Sequence, residues 1–195
     1  MATQPKPYLS VEQYLELDRA AERGSEYYKG EMFPMEAISL NHSTIVTNLT
    51  VMLQSQLRGQ GCRQATGMRL RTQAGGPYFY PDVMVFCGRA QLEDPRRDTL
   101  LDAVVVMEVL SPSTARYDHT FKLEHYQAVP SLRDYLMLAQ DCVKVAHKTC
   151  VTADTWETKE TTDPQALIAL PSIGCVFRVA DIYEGVDYVL PDHSK

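Results

Sequence analysis

The sequence predicts a mixed α/β fold in which a central β-sheet is flanked by helices. Two near-continuous apolar runs, YFYPDVMVFC and VVVMEVL, are typical of sheet-interior strands that are covered on both faces. A long segment, NHSTIVTNLTVMLQSQLRGQG, instead repeats its apolar residues at helical spacing. At 195 residues the chain is long enough for one domain and short for two. We therefore expect a single domain over residues 1–195: an N-terminal helix and hairpin, a core over about 25–150, and C-terminal strands with a short helix.

The N-terminal elements follow from local signals. Ser10 is placed to cap a helix, and Gln13, three residues later, completes a capping box. The stretch SEYYKGEMF is typical of a short hairpin with Lys29 and Gly30 at its turn. These signals predict a helix followed by a two-stranded ribbon before the long helix begins.

The rest of the chain alternates between strand and helix patterns. The long helix has Asn41 or Ser43 as its N-cap and Gly59 at its end. Pro130 closes a second helix, DHTFKLEHYQAV. Further strands are predicted at CRQATGMRLRT, DYLMLA, VKVAHKT, TWETKET and ALIAL, and a short helix near VADIYEG.

Composition and charge exclude several classes of protein. The apolar and charged fractions, 45% and 23%, are ordinary for a soluble globular protein. A net charge of -6 argues against a strong non-specific nucleic-acid binder, although it is compatible with a local basic patch. No apolar run reaches the roughly 20 residues of a membrane helix, and the N-terminus has no signal-peptide core. We expect a cytoplasmic protein with no membrane partner.

The five cysteines are odd in number and far apart, and they include no C-x-x-C pair. Such spacing favours neither a disulfide framework nor a zinc site. We therefore expect reduced cysteines, as in a cytoplasmic protein.

A glutamate, Glu108, interrupts the apolar strand in VVVMEVLSPST. An unpaired buried charge costs roughly several kcal/mol, so something must compensate this carboxylate. Asp82 opens the preceding strand, DVMVFC, and lies beside Glu108 if the two strands are neighbours. Two carboxylates about 4 Å apart repel by roughly 1–4 kcal/mol. Such a pair requires a divalent cation, a shared proton or a lysine.

The helix after the Glu108 strand offers a lysine. Asp118, Lys122 and Tyr126 stand at helical positions i, i+4 and i+8, hence on one face. Because the helix follows the strand directly, this face can return over the two carboxylates. Three alternatives stay open: Glu108 pairs with an arginine such as Arg69 or Arg71, Lys122 is solvated, and Tyr126 is a core residue.

The segment YFYPDVMVFCG, followed by VVVMEVLSPSTARYDHTFKLEHYQAVPSLRDYLML, closely resembles the Uma-two family, which is assigned to the restriction endonucleases of the PD-(D/E)XK nuclease superfamily. The resemblance extends upstream to SEYYKGEMFPMEAISLNHSTIVTNL and downstream to LPSIGCVFRVADIYEG. It implies a restriction-endonuclease-like mixed sheet flanked by helices, a Mg²⁺ (or Mn²⁺) cofactor and DNA as substrate. It also implies that Asp82 and Glu108 are the metal ligands.

The sequence departs from the superfamily pattern at the lysine. That pattern places the lysine two residues after the second acid, where this chain has Leu110. The resemblance therefore makes Lys122, on the following helix, the candidate that positions or activates water. The acid that such folds place before the sheet is Glu31, with Glu26 as the alternative. His42, at the start of the long helix, is either a base or phosphate contact in the site or a capping-region residue.

These expectations combine into a metal-dependent phosphodiester hydrolase, a DNA endonuclease with Asp82, Glu108, Lys122, Glu31 and His42 in its site. Two rivals remain at this point. One is a non-catalytic nuclease-fold domain for binding or assembly, and the other is a hydrolase of a different phosphate ester. A homodimer is also compatible with exposed edge strands in the C-terminal third.

Overall fold

The computed structural model describes residues 8–111, 118–152 and 155–188. Helix α1 spans Val11–Ala20, and Ser10 caps it in the predicted capping box. Strands β1 (Ser25–Tyr28) and β2 (Glu31–Pro34) form the predicted hairpin. Its turn residues, Lys29 and Gly30, both have positive φ angles, 46° and 85°, as tight hairpin turns require.

The long helix, α2, spans Leu40–Gln56. Its N-cap is Ser39 and not the predicted Asn41 or Ser43, because the Ser39 hydroxyl accepts a backbone amide of the first turn. It ends before the predicted Gly59, which lies in the turn that follows. Neighbouring polar residues offered several caps, and the sequence pattern did not choose between them. None of the helices in the described part of the chain has the length and apolar content of a membrane-spanning segment.

The strands form two large sheets and a small hairpin, where the sequence predicted one central sheet. The first sheet adds three short strands to the N-terminal hairpin: β4 (Arg69–Arg71), β5 (Tyr78–Phe79) and β7 (Thr99–Leu100). The second sheet comprises β3 (Cys62–Ala65), β6 (Val83–Cys87), β8 (Val105–Leu110), β9 (Asp134–Ala139), β10 (Val145–Thr152) and β11 (Thr155–Thr161). The hairpin pairs β12 (Leu167–Leu170) with β13 (Cys175–Arg178).

The strand orders are β2-β1-β5-β4-β7 and β11-β10-β9-β8-β6-β3. The predicted strand YFYPDVMVFC is divided between the sheets, since β5 ends before Pro81 and β6 begins after it. Proline cannot donate to a strand ladder, which explains the break. CRQATGMRLRT is likewise divided, with β3 and β4 on either side of Gly67.

The register of the six-stranded sheet positions the candidate site. Strands β6 and β8 are antiparallel, with Val83 opposite Met107, so the next pair outward is Asp82 and Glu108. Every residue of β8 is buried, as its apolar pattern predicted. Val105, Met107 and Val109 share a core with α2, whereas Val106 and Leu110 share a core with Tyr126 on the opposite face. Alternation along the strand therefore directs Glu108 toward the second helix.

That second helix differs from the uniform α-helix that was predicted. Its first part, Asp118–Lys122, is a π-helix, and α3 continues over Leu123–Tyr126, which ends before Pro130. The sequence also predicted that Asp118 shares a helical face with Lys122 and Tyr126. The side chain of Asp118 lies outside the described part of the structure. A final short helix, α4 (Val179–Ile182), confirms the prediction near VADIYEG.

The expectation of reduced cysteines is wrong for one pair. Cys62 on β3 and Cys87 on β6 are direct partners across the strands, with Cα atoms 3.9 Å apart, and they form a disulfide. Their separation of 25 residues hides this proximity, which only the antiparallel register creates. Cys142, Cys150 and Cys175 are free thiols.

Candidate active site

The predicted pair of carboxylates meets where β6 and β8 lie side by side. The backbone amide of Val109 donates to Asp82 Oδ2 at 2.7 Å, and the amide of Asp82 donates to Glu108 Oε2 at 3.4 Å. Each acid is thus tied to the backbone of the strand that carries the other. The two strands are neighbours, as that expectation required, and their antiparallel register brings these two side chains together.

Glu108 is compensated by the helix that follows its strand. Its side chain is buried, and Oε1 accepts the Lys122 ammonium at 3.1 Å and the Tyr126 hydroxyl at 2.7 Å. Arg69 and Arg71, the two arginines considered as alternative partners, bind other carboxylates. Lys122 and the phenol of Tyr126 therefore stabilise the glutamate inside this apolar strand.

Lys122 is a buried residue, with only 8% of its surface exposed. Its Nζ lies 2.8 Å from Glu26 Oε1 as well as 3.1 Å from Glu108 Oε1, and it sits 5.9 Å from the centre of the Phe79 ring. The alternative of a solvated lysine is therefore wrong. Lys122 is the last residue of the π-helix, a type of helical turn found disproportionately at functional sites.

The structure brings Glu26 into the site and leaves Glu31 outside it, which reverses the order that the sequence suggested. Glu26 is buried on β1, an inner strand, and its Oε1 also accepts the Tyr80 amide at 3.4 Å. Glu31 lies on the edge strand β2, beside the turn, and is exposed. Both acids share one face of the hairpin, but they stand two residues apart along it. The position of β1 inside the sheet decides which one is buried.

His42 contacts the site from the first turn of α2. Its Nε2 lies 2.9 Å from Asp82 Oδ1. Its backbone amide is the group that donates to the Ser39 N-cap. The two alternatives for this residue are therefore combined, since His42 belongs to the capping region and also touches a site carboxylate.

Tyr126 is a core residue and also donates a hydrogen bond to Glu108. It is fully buried among apolar side chains and aromatic rings, including Phe79 and Tyr135. Burial, and then the nearby Glu108 charge, raise the pKa of the Tyr126 hydroxyl well above its usual value. The hydroxyl therefore stays protonated and donates to the carboxylate. The helical spacing from Lys122 was the signal that placed it on the same face.

An open cavity of about 650 Å³ gives access to these groups. Its charged lining residues include Glu26, Asp82, Glu108 and Lys122, and His42 adds an imidazole. Among the described residues that line this cavity, the acids Glu26, Glu36, Asp82 and Glu108 outnumber the one lysine, Lys122. Such an excess of negative charge favours the binding of a cation.

The donor set fits a magnesium ion bound in the manner typical of phosphate chemistry. In the described part of the chain, no group of three or more His, Cys, Asp or Glu side chains is arranged to hold a metal. Magnesium, however, is commonly held by one or two carboxylates, with waters and substrate phosphate oxygens as the other ligands. Asp82 and Glu108, adjacent at the cavity base, supply such a pair.

Comparison with known proteins places this site in a family. Two proteins of Synechocystis sp. are similar in sequence: uncharacterized protein sll1609, 33% identical over 143 residues, and uncharacterized protein slr1290, 30% identical over 196 residues. The first alignment covers 71% of this chain and 79% of that protein, and the second covers 94% and 96%.

The fold is shared with a solved structure. The crystal structure of a "putative nuclease belonging to DUF820" from Anabaena variabilis superposes with a TM-score of 0.74 and 19% identity, and the match covers 90% of this chain and 97% of that one. At this identity the likeness shows the fold, a nuclease-type mixed α/β architecture. The family model of Uma2, described as "Putative restriction endonuclease", matches residues 11–180, a span that contains every residue of the site built above. The resemblance first seen in the strand motifs thus extends to the length of the chain, which belongs to the Uma2 family.

Proposed function

We propose that this protein is a DNA endonuclease that hydrolyses phosphodiester bonds with the help of Mg²⁺ or Mn²⁺. The family and the fold support a restriction-endonuclease-like nuclease. One observation carries the finer proposal: the buried Lys122 ammonium lies between Glu26 and Glu108, at the base of a cavity that Asp82 also lines. A lysine beside clustered carboxylates in an open cavity is the arrangement that the superfamily pattern predicts, supplied here from the helix.

Asp82 and Glu108 are the residues that would hold the metal ion. When bound, such an ion polarises a phosphoryl oxygen and lowers the pKa of a bound water. The protein orients both ligands beforehand: His42 and the Val109 amide bind Asp82, and Tyr126 binds Glu108. Such supporting hydrogen bonds fix the direction in which each carboxylate presents its oxygens.

Lys122 is proposed to act on the reacting phosphate. Its ammonium has three donors, and Glu26 and Glu108 orient it. A donor that is already in place stabilises negative charge as it develops on the phosphate, without reorganisation during the reaction. The same ammonium can donate to the water that attacks, which gives Lys122 the role that Leu110 cannot fill.

A second candidate function is a non-catalytic domain of the same fold that serves binding or assembly. The observation that favours it is that Lys122 and Tyr126 already satisfy Glu108 Oε1 without a metal. A buried, hydrogen-bonded ion pair can be purely structural. Under this alternative the carboxylates would have no metal-dependent activity.

Cleavage assays separate the two functions. Purified protein is incubated with supercoiled, linear and single-stranded DNA in Mg²⁺, Mn²⁺ or a chelator. We expect metal-dependent cleavage that Glu108→Gln abolishes and that Glu16→Gln, a change at an exposed residue of α1, retains. Cleavage in the chelator, or equal cleavage by Glu108→Gln, would contradict the nuclease proposal. Absence of cleavage on all three substrates would favour the non-catalytic alternative.

A homodimer is a further part of this proposal. Strand β11 is an edge of the six-stranded sheet, and its residues are mostly exposed. An edge strand offers unpaired backbone groups to a second copy. Light scattering gives the mass in solution, and a monomer at all concentrations tested would rule the dimer out.

A further inference from the structure

A second open cavity lies beside the Cys62–Cys87 disulfide, at the end of the six-stranded sheet opposite the carboxylates. Asp82 directly precedes β6, whereas Cys87 is the last residue of that strand. Cys62 lines this cavity, whose volume is about 470 Å³. Both cysteines are half-buried, so the disulfide lies between the core and the surface. A reagent in the cavity therefore reaches Cys62 without crossing the core.

Three glycines leave space around the disulfide. Gly59, Gly61 and Gly88 all line the cavity. In the described part of the chain, no atom beyond the adjacent residues lies within 4 Å of the position that a Cβ would take at any of them. The Gly88 amide donates to the Gly61 carbonyl at 2.7 Å, which holds together the two turns that flank the cysteine pair. A reagent can therefore approach the disulfide without displacing a side chain at these three positions.

The lining also favours thiolate chemistry. Arg58, an exposed residue of the turn after α2, contributes to the cavity. Thiolates, and not thiols, attack disulfides, and a thiolate also leaves when the bond breaks. Nearby cations stabilise this anionic form, and reactive cysteines are typically found in partly exposed surroundings of this kind. Exposure and charge thus mark this pair as reactive, whereas Cys175 is buried.

The disulfide fastens an edge strand to the sheet. Strand β3 ends the strand order, with β6 as its neighbour, and the pairing begins at Cys62 and Cys87. The bond joins residues that are 25 positions apart in the chain. A crosslink of this kind stabilises the folded state, in the usual model because it restricts the unfolded chain. The oxidised protein should therefore be more stable than the reduced one, and opening of the disulfide should loosen β3.

We propose that the Cys62–Cys87 disulfide is a reversible redox modification site, which a dithiol reductant opens in the folded protein. One thiolate of the reductant attacks the Cys62 sulfur, which breaks the S–S bond and releases Cys87 as a thiolate that takes up a proton. The second thiol of the reductant then attacks the mixed disulfide and releases Cys62 as a thiol. The reductant leaves as a disulfide, so it loses the two electrons and two protons that the cysteine pair gains. This inference goes beyond the proposed nuclease function and does not depend on it.

Differential alkylation tests whether reduction occurs in the folded state. The full chain, purified without reductant, is treated with dithiothreitol and pulsed with iodoacetamide, and mass spectrometry of its peptides reads each cysteine separately. We expect Cys62 and Cys87 to be alkylated while Cys175, which is 1% exposed, stays protected. Burial also raises the pKa of the Cys175 thiol, which slows its alkylation further. Alkylation of the pair only together with Cys175 would show that reduction requires unfolding, and would overturn the inference. Free thiols at Cys62 and Cys87 before treatment, which oxidised glutathione does not join, would also overturn it.

Thermal melts measure the consequence for the fold. Dithiothreitol should lower the Tm of the wild type by about 5–10 °C, and its removal followed by oxidised glutathione should restore the Tm. The matched control is the double variant Cys62→Ser with Cys87→Ser, whose Tm should not respond to dithiothreitol. An unchanged Tm of the fully reduced wild type, an irreversible loss, or an equal response of the control would contradict the proposal. The alkylation measurement uses the wild type alone, so it decides the matter even if the double variant does not fold.

Discussion

Two buried ionic clusters in this protein use opposite designs. In the arginine cluster, the Arg69 guanidinium lies between Asp18 and Asp98, and Arg19 binds Asp98 and Asp94. In the lysine cluster, the single ammonium of Lys122 serves Glu26 and Glu108, and Asp82 lies alongside. The first fixes α1 against β4 and the turn before β7, and the second occupies the base of the cavity.

The difference lies in the type of cation and in the access that solvent has to each cluster. In the arginine cluster, two guanidinium groups bind three aspartates. Asp18 also accepts hydrogen bonds from the Tyr80 hydroxyl and the Ser25 amide. Planar guanidinium groups bind carboxylates with several donors at once, which suits a permanent structural contact. In the described part of the chain, the lysine cluster instead has one compact ammonium beside Glu26 and Glu108, and Asp82 is bound by His42. This cluster lies at the base of an open cavity, where we propose that a further cation binds.

The largest expected effect on stability comes from breaking the arginine cluster. Arg69→Met leaves Asp18, whose side chain is 0% exposed, without its cation. We expect a loss of about 3–5 kcal/mol in the free energy of unfolding, because an uncompensated charge stays buried. Denaturant melts measure it, with Arg178→Met, at a half-exposed surface pair, as the control. A loss no larger than that of the control would show that the arginine cluster is not a structural anchor.

Removing the cation of the lysine cluster should affect both catalysis and folding, because Glu108 stays buried without it. Lys122→Met should lower kcat by roughly 10²–10³, the usual cost of removing one donor from a developing negative charge. Lys122→Arg should recover stability better than rate, since a planar fork does not replace a compact ammonium. Single-turnover cleavage rates and melts of the same variants provide the measurement. Wild-type rates in Lys122→Met would exclude the lysine from the reaction.

Added metal should distinguish the clusters directly. A cation that binds the folded state stabilises it by RT ln(1 + [L]/Kd), about 2.7 kcal/mol at a hundredfold excess over Kd. We expect Mn²⁺ to raise the Tm of the wild type and of Arg69→Met alike. It should leave the Tm of Asp82→Asn unchanged, although that variant keeps an acceptor for the Val109 amide. An equal Tm increase in Asp82→Asn would move the metal site elsewhere.

The smallest effect concerns acid stability. Hydrogen bonds from Arg19, and then from Arg69, hold the pKa of Asp98 well below its usual value. A depressed pKa stabilises the fold above the unfolded value of about 3.9, and this stabilisation is lost as the pH falls through the folded pKa. The wild type should therefore lose stability below about pH 4 more steeply than Asp98→Asn. Because the side chain is 35% exposed, the difference should be small and should shrink further in high salt. Melts in acid compare the two proteins, and identical slopes would contradict this role for Asp98.

The sequence predicted which side chains lie beside Glu108 because its signal was local and periodic. An apolar strand with one glutamate identified Glu108, and the order of two adjacent strands placed Asp82 beside it. Helical spacing linked Lys122 to Tyr126, and both do bind Glu108. These relations depend on neighbouring elements, where pattern and chain direction are sufficient.

Other features depended on which strands become neighbours, which local pattern does not encode. Glu26 replaces Glu31 in the site because β1 is an inner strand and β2 an edge. The Cys62–Cys87 disulfide forms because β3 and β6 pair in a register that brings those two residues opposite one another. The division of one predicted sheet into two likewise follows from long-range pairing.

The π-helix has a consequence for how this site can change in evolution. A π-turn fits an additional residue into a helix that would otherwise wind at about 3.6 residues per turn. Deletion of one residue within Asp118–Lys122 would restore α-helical winding and rotate the residues before it by about 100° relative to α3. Such a deletion would change how the strand that carries Glu108 connects to the helix that carries Lys122. The position of the Lys122 ammonium relative to Glu108 thus depends on the length of this segment, so we expect insertions and deletions here to have stronger effects than most substitutions.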